Sequence, residues 1–468
     1  MSDPGHDSAL AAAADAARDW LDGLPDRPVR PEADARAMLD AFDEPLPEEG
    51  LDPAAVVREL AERAEPGLMA SGSGRFHGWV IGGALPAAIA ADWLVSAWDQ
   101  NSAMSEPFPA TTMIEQVVAG WVLDLLGLPD TASVGFVTGG QMANTSCLAA
   151  ARNHVLAAHG WDVEAAGLQG APELHVLVGG QRHDSIDASL RMLGLGGSTA
   201  RVVATDDAGR VLPRALAAAA ADAHGPTIVC LQVGNVNGGS VDPVAEILAD
   251  VAREDLWVHV DGAFGLWARA STAYRHLVPG VERADSWATD AHKWLNTPYD
   301  CGIAICAHPA AHHRALGVRA AYLPMGDDPA LRDPIDVNPE LSRRARSVPV
   351  WAALRHLGRR GVADLVERCC RMAERFAALL SEADGVVVLH QDLNQVVVRF
   401  LEPGGGDHDA HSRAVLARTQ SEGTCYPSGT VWRGVAAVRL SVSSWRTGPQ
   451  DVERTVAALL AAHRREPT

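Results

Sequence analysis

His259-Val260-Asp261-Gly262-Ala263 and, one strand further on, Asp290-Ala291-His292-Lys293-Trp294-Leu295 are the two stretches on which the reading of this chain turns. In the first, an apolar run ends on an aspartate followed by small residues. A carboxylate there stands half-buried at the carboxyl end of a strand, where it needs a partner. In the second, a lysine flanked by histidine and tryptophan follows another apolar run, although lysine is rarely buried without a partner. Taken singly, each has a plain structural reading: a helix-cap or turn aspartate, and a surface lysine whose stem snorkels.

The surroundings decide how the two are related. Short apolar runs at 134–137, 174–178, 200–204, 227–233, 256–260, 286–289 and 303–306 alternate with helical stretches. Continuous apolar runs between helices predict an α/β fold, with a mostly parallel seven-stranded sheet buried on both faces. In such sheets chemistry collects in the loops at the carboxyl ends of strands, which is where Asp261 and the Lys293 turn both fall. Toward the N-terminus, 9–21, 31–42 and 51–64 read as short helices, with a break at 24–28, and 85–98 as an apolar helix. From about 345 a long helical segment leads to a smaller C-terminal α+β unit, with strands expected over 385–401 and 434–442 and a closing helix at 451–464. The expected division is a helical arm (1–109), a large domain (110–315), and a loop, connecting helix and small domain (316–468).

Composition narrows the function classes. The 468 residues carry 39 basic against 59 acidic side chains, a formal net charge of -20. That argues against nucleic-acid binding, which needs a basic face, and against an anionic membrane surface. The stretch 85–98 is too short to span a bilayer and carries Asp92. The N-terminus has no basic start leading into an apolar run, so no secretory signal is read. Seven scattered cysteines without a CxxC pair suit a reducing cytoplasm. No metal site is expected: Asp407-His408-Asp409-Ala410-His411 follows a glycine turn (403–406) and reads as a solvated loop.

An aspartate and a lysine on successive strand ends are what pyridoxal-5'-phosphate chemistry needs. The lysine amine joins the cofactor aldehyde as a Schiff base, and the aspartate keeps the pyridine nitrogen protonated so the ring can accept electrons. Two further features suit the same cofactor. Thr138-Gly139-Gly140-Gln141 is a glycine turn entering a helix (141–154), whose free N–H groups suit a phosphate, although a plain strand–helix turn reads the same way. His183, in Gln181-Arg182-His183-Asp184-Ser185, opens another helix where an imidazole could lie over a ring; alone it is an ordinary helix-start histidine.

Residues in this order resemble the group II pyridoxal-phosphate-dependent amino-acid decarboxylases, the aromatic-L-amino-acid and glutamate decarboxylase family of the aspartate-aminotransferase (type I) fold. The resemblance runs over roughly 20–465 and also rests on Pro298-Tyr299-Asp300-Cys301-Gly302, Ser342-Arg343-Arg344-Ala345-Arg346 and Arg439-Leu440-Ser441-Val442-Ser443. It implies that Lys293 is the Schiff-base lysine, that Asp261 pairs with the pyridinium nitrogen, and that Ala263 packs under the ring with His183 on its other face. It further implies Gly140 and Gln141 at the phosphate, His292 near phosphate and substrate, Asn235 near the ring, and Arg439 at the substrate α-carboxylate. Phe76, His77, Trp79 and Asn101, from the arm 76–108, would complete a partner subunit's substrate pocket in a homodimer with shared active sites. Gln100-Asn101-Ser102-Ala103 suggests a pocket with polar groups on one side.

One departure bears on the reaction. The family's decarboxylases carry a tyrosine on a loop before the Ser-Arg-Arg motif, which returns a proton to Cα. Here 323–340 contains no Tyr, His or Phe, Tyr322 matches a different position, and an ungapped count from Arg346 puts Pro334 where the tyrosine belongs. The expected reaction is α-decarboxylation of an L-amino acid to an amine. The alternatives are an oxygen-consuming decarboxylation–deamination that gives an aldehyde, an aminotransferase, and a binding subunit without catalysis.

Overall fold

The computed structural model of the protein describes residues 4–251, 253, 255–318, 328 and 331–464. Tyr322, Asp327 and the rest of 323–327 lie outside the described residues.

The N-terminal helices are α1 (Pro4–Gly23), α2 (Ala35–Phe42) and α3 (Pro53–Ala64), followed by a two-residue strand β1 (Phe76–His77) and helices α4 (Pro86–Trp98) and α5 (Pro109–Leu126). Next come β2 (Ser133–Val137), α6 (Gly140–Ala158), α7 (Val163–Ala166), β3 (His175–Gly179), α8 (Asp184–Met192), β4 (Ala200–Val203), α9 (Pro213–Asp222), β5 (Thr227–Gln232), α10 (Val244–Asp250), β6 (Leu256–Asp261), β7 (Ser286–Asp290), β8 (Gly302–Cys306) and α11 (Pro309–Leu316). The chain closes with α12 (Ser347–Ser381), β9 (Val386–Asp392), β10 (Gln395–Phe400), α13 (His408–Glu422), β11 (Tyr426–Trp432), β12 (Val435–Ser441) and α14 (Pro449–Arg464).

All seven expected apolar runs form one sheet, ordered β2-β8-β7-β6-β5-β3-β4. Strands β4, β3, β5, β6 and β7 are parallel, and β8 is antiparallel to both β7 and β2. The central strands β6 and β7 are buried at every position, which explains why they read as continuous rather than alternating runs. On one face lies α6, whose Ala143, Ala149, Ala150 and Ala151 are small enough to let its backbone approach the strands. The other face belongs to the main core, with Val118, Val122 and Leu126 of α5 and the inner stripe of α12. Helix α12 is interrupted at Gly358, whose φ of 61° only glycine adopts at low cost.

The second sheet is ordered β1-β11-β12-β10-β9. Several expectations are corrected here. The run 385–401 is a hairpin of β9 and β10 turning at Leu393 and Asn394, not one strand. Strand β11 was concealed by Pro427 and Gly429, which weaken a strand reading. Residues 31–34 are not helical, because Asp34 caps α2 by accepting from the Ala37 N–H. Asp407–His411 is the start of α13 rather than a loop. Asp407 caps the helix, while His411 turns inward to Glu402 and His463 at 2.8 Å each. Among the described residues no helix is long and apolar enough to cross a membrane.

Candidate active site

Parallel strands in register bring three acceptor side chains to one edge. Strands β5, β6 and β7 end on Gln232, Asp261 and Asp290, with Gln232 opposite Asp261 and Asp261 opposite Ala288. These strand ends, the start of α6 and the turn before α8 enclose a cleft of about 160 Å³. Gly140, Gln141, His183, Asp261, Ala263, His292 and Lys293 all line it, as do Asn144, Gln232, Val236 and Asp290. A larger cavity of about 450 Å³, beside Thr112, Glu115 and Pro334, borders Asp328 and Leu331 and shares none of these residues.

Lys293 is the only lysine in the sequence. It stands on the turn after β7, its side chain 23% exposed and its Nζ 2.8 Å from Asp290 Oδ2. The other cationic side chains of the chain are arginines or histidines, so no other side chain can supply a Schiff-base amine.

Asp261 is held by a chain of buried hydrogen bonds whose direction follows from its own charge. An ionised carboxylate only accepts, so the Asn144 amide N–H donates to Asp261 Oδ2 at 3.2 Å and to Ser185 Oγ at 3.1 Å. Asn144 Oδ1 then accepts from His259 Nε2–H at 2.9 Å, and Nδ1 of the neutral imidazole accepts from Ser286 Oγ at 2.9 Å. The Trp257 indole donates to the same Ser286 Oγ at 2.8 Å. Burial pushes the His259 imidazole down to about 3, so it stays neutral and the polarity of the chain is preserved. The other oxygen of Asp261 accepts from the Ala263 N–H at 3.2 Å. Burial raises the carboxyl's affinity for a proton, while Lys293, His183 and these hydrogen bonds oppose that rise. Asp261 is thus arranged as an acceptor, which suits a protonated ring nitrogen.

The two histidines have assigned faces. His183 caps α8: its Nδ1 accepts from the Ser185 N–H at 3.1 Å, leaving Nε2 to carry a proton. Nδ1 of His292 accepts from the Cys301 N–H at 3.0 Å, its ring lies 4.4 Å from that of Tyr299, and burial holds its pKa below the ordinary value. At the head of α6 the first N–H groups have no preceding turn to bond to. Gly140 is required there, since a Cβ would sit 2.6 Å from Asp290 Oδ2.

Arg439 is buried beside the cleft. Its Nη1 donates to the carbonyl of the cleft residue Val236 at 2.7 Å, and its Nε to Ser428 Oγ at 3.2 Å. Burial lowers its pKa to about 10, and among the described residues no carboxylate pairs with it. An uncompensated buried guanidinium is suited to an incoming carboxylate.

Other expected residues are placed differently. Phe76 and His77 belong to β1, inside the second sheet. His77 packs edge-on against Phe376, is bonded to Thr455 Oγ1 at 3.2 Å, and is kept neutral by burial, its pKa near 3. Both side chains are buried within their own chain, whereas Trp79 is 50% exposed. The side chain of Asn101 clasps the Leu341 carbonyl (3.2 Å) and the Arg343 N–H (3.0 Å), and Gln100 bonds the Trp98 carbonyl at 2.8 Å. These amides satisfy backbone groups of their own chain. Asn235 does not line the cleft; its Oδ1 accepts from Asn237 and Gly238 N–H groups and shapes the loop beneath Val236.

Asn144, Ser185, Gln232 and Asp290 were not singled out from the sequence. A signal existed for Asn144, a poor helix former among alanines one turn into α6, on the face that carries Gly140. None existed for Gln232, whose amide, oriented by its neighbours, accepts from the His183 N–H at 3.0 Å.

The donor set fits pyridoxal phosphate: one amine, a buried carboxylate arranged as an acceptor, a small residue (Ala263) and an imidazole lining the same cleft, and free N–H groups at a glycine helix start. The profile of the pyridoxal-dependent decarboxylase conserved domain matches residues 36–401. A tyrosine decarboxylase of Oryza sativa subsp. japonica is 30% identical, over 93% of this chain and 86% of its own length. A 4-hydroxyphenylacetaldehyde synthase of Rhodiola rosea is 27% identical, over 92% and 89%. The crystal structure of an Oryza sativa TDC with PLP and tryptamine superposes with a TM-score of 0.91 at 25% identity, covering 99% of both chains.

Proposed function

Since the chain belongs to the pyridoxal-dependent decarboxylase family, we propose that it converts an L-amino acid to CO2 and the corresponding amine, with Lys293 and Asp261 as its principal catalytic side chains. The observation that carries this reading is the pair itself: the chain's one lysine and an acceptor-locked carboxylate in a single cleft. Pyridoxal phosphate, when bound, supplies an aldehyde for the amine and a protonated ring that accepts the electrons left at Cα as CO2 departs. Asp261 holds the ring-nitrogen proton. The N–H groups from Gly140 and Gln141 onward hold the phosphate, and Ala263 leaves room on one side of the ring while His183 covers the other. Arg439 receives a carboxylate of the substrate. His292 stays neutral and closes the phosphate end of the cleft.

The amine requires a proton at Cα. Nε2–H of His183, directed by the cap at Nδ1, is the donor we assign. The competing outcome, an aldehyde formed with O2, is favoured by position 334. Pro334 is buried, its carbonyl accepts from Asn338 at 2.7 Å, and the next N–H donates to Ala103. It offers no hydroxyl, and a tyrosine there would overpack its own subunit, so Pro334→Tyr is not a clean test.

Incubation with single amino acids should give CO2 and amine without O2 uptake; stoichiometric O2 consumption with H2O2 would assign the aldehyde reaction instead. His183→Phe should cut amine formation by about 10²-fold, the lower range for a lost general acid, while CO2 release falls less.

We also propose a cytoplasmic homodimer with shared sites. Trp93, Leu94 and Trp98 of α4, Val117 of α5 and Trp351 of α12 are exposed on helices that pack together, an unusual apolar surface for a monomer. Mixing Lys293→Ala subunits with Trp79→Ala subunits should restore part of the activity in heterodimers. Dimers without any rescue would place Trp79 in its own subunit's site.

A further inference from the structure

We propose that Gln232 is a positioning residue for His183: its side-chain amide clamps the backbone that carries the imidazole and so sets where that ring stands relative to Asp261. The proposal rests on the reading of His183 as the residue that covers one face of the cofactor ring.

His183 ends a short loop, 180–183, between β3 and α8. Gly179 and Gly180 lie at its start, so the backbone supplies little stiffness of its own. The imidazole is oriented by its own helix, with Nδ1 3.1 Å from the Ser185 N–H and 2.9 Å from Ser185 Oγ. These bonds fix the rotation of the ring and leave the backbone of 181–183 to be held from outside α8. A backbone N–H only donates and a carbonyl only accepts. Gln232 meets one of each: its amide oxygen accepts from the His183 N–H at 3.0 Å, and its amide nitrogen donates to the Gln181 carbonyl at 2.9 Å. Asn235 donates to the same carbonyl at 3.2 Å, and Asn237 reaches the Gln181 side chain at 3.4 Å, but both of these bonds end on Gln181.

The clamp is mounted on a rigid rung. Gln232 is the last residue of β5 and stands opposite Asp261 in the sheet register. Its own N–H donates to Asp242 Oδ2 at 2.7 Å, and its carbonyl accepts from the Asp242 N–H at 2.9 Å. Asp242 is itself buried and accepts from the Val211 N–H at 2.8 Å through its other oxygen. One side chain therefore refers the His183 backbone to the rung that carries Asp261. The reference matters because Asp261 and His183 serve one ring, the first at its nitrogen and the second on its face. A misplacement of about 1 Å can cost a positioned group about 10²-fold in rate.

The test is a double-mutant cycle on binding rather than on turnover. Pyridoxine 5'-phosphate, which has the cofactor's ring and phosphate but no aldehyde, is titrated calorimetrically into cofactor-free full-length protein. His183→Ala should weaken binding about five- to ten-fold, the scale of one lost ring stack. Gln232→Met, close in size but unable to make either bond, should weaken it about five-fold, within the range for a lost hydrogen bond. In the His183→Ala background the same substitution should change affinity by less than about two-fold, the margin within which independent effects add, because no imidazole remains to be placed. An equal loss in both backgrounds would overturn the proposal and make Gln232 a direct ligand or a general support of the cleft. No loss in either background, with His183→Ala itself effective, would overturn it too. Unchanged affinity in His183→Ala would instead overturn the reading of His183, and the proposal with it. If Gln232→Met does not fold, Gln232→Glu takes its place in the cycle. Its carboxylate still accepts from the His183 N–H but cannot donate to the Gln181 carbonyl. Its effect should likewise vanish with His183→Ala, and an equal loss in both backgrounds, or none, would overturn the proposal.

Discussion

Lys293→Ala should reduce turnover to background, the largest effect expected of any substitution in this protein. The reason is arithmetic as well as chemical: the sequence contains no second lysine to substitute for it. Wild-type holoprotein should absorb in the visible, and borohydride followed by peptide mapping should place the cofactor on one peptide, with the α-amino terminus as the only other primary amine. The Ala variant should lose both signals. It should still bind pyridoxal phosphate through the helix start at Gly140 and the acceptor at Asp261, because neither depends on the lysine side chain. Added methylamine or a similar small amine should recover part of the visible band without restoring the wild-type rate. A Lys293→Ala protein with substantial turnover would remove the basis of the functional assignment.

Asp261→Asn should lower kcat by several orders of magnitude, each factor of ten corresponding to about 1.36 kcal/mol of barrier. The amide is nearly isosteric, so the fold should survive, but it cannot hold a ring-nitrogen proton by charge. The loss should fall on kcat more than on KM, since the interaction strengthens as electrons flow into the ring. The hydrogen-bond chain adds a second consequence. Asn144 already presents its N–H to this position, with its oxygen on His259 Nε2–H. A new amide that keeps this order turns its oxygen toward Asn144, leaving its own N–H near the Ala263 N–H, where Asp261 now accepts. A variant with near wild-type kcat would show that the ring proton is held by another group.

The fold and the two principal residues were legible because both are written in short-range patterns. Continuous apolar runs separated by helical stretches specify a buried parallel sheet, and strand ends in register put Asp261 and the Lys293 turn on one edge. Of the residues the resemblance implies, Gly140, Gln141, His183, Ala263 and His292 line the cleft. What sequence could not decide were pairings between distant positions. Phe76 and His77 look like pocket aromatics, yet β1 pairs with β11 some 350 residues away and turns them into core. Asn101 looks like a polar pocket residue, yet it serves the backbone of 341–343. Asp290 carries no local sign of its place, and Asn144 only that of a poor helix former among alanines. Asn144 matters because α6 lies against β6, Asp290 because the Lys293 side chain folds back over the end of β7. Hydrophobic period and turn chemistry act over a few residues and so determined the sheet and its active edge. The direction of a buried hydrogen bond or the counter-ion of a buried amine depends on which side chains share a few ångströms of space, and only the tertiary structure decided that.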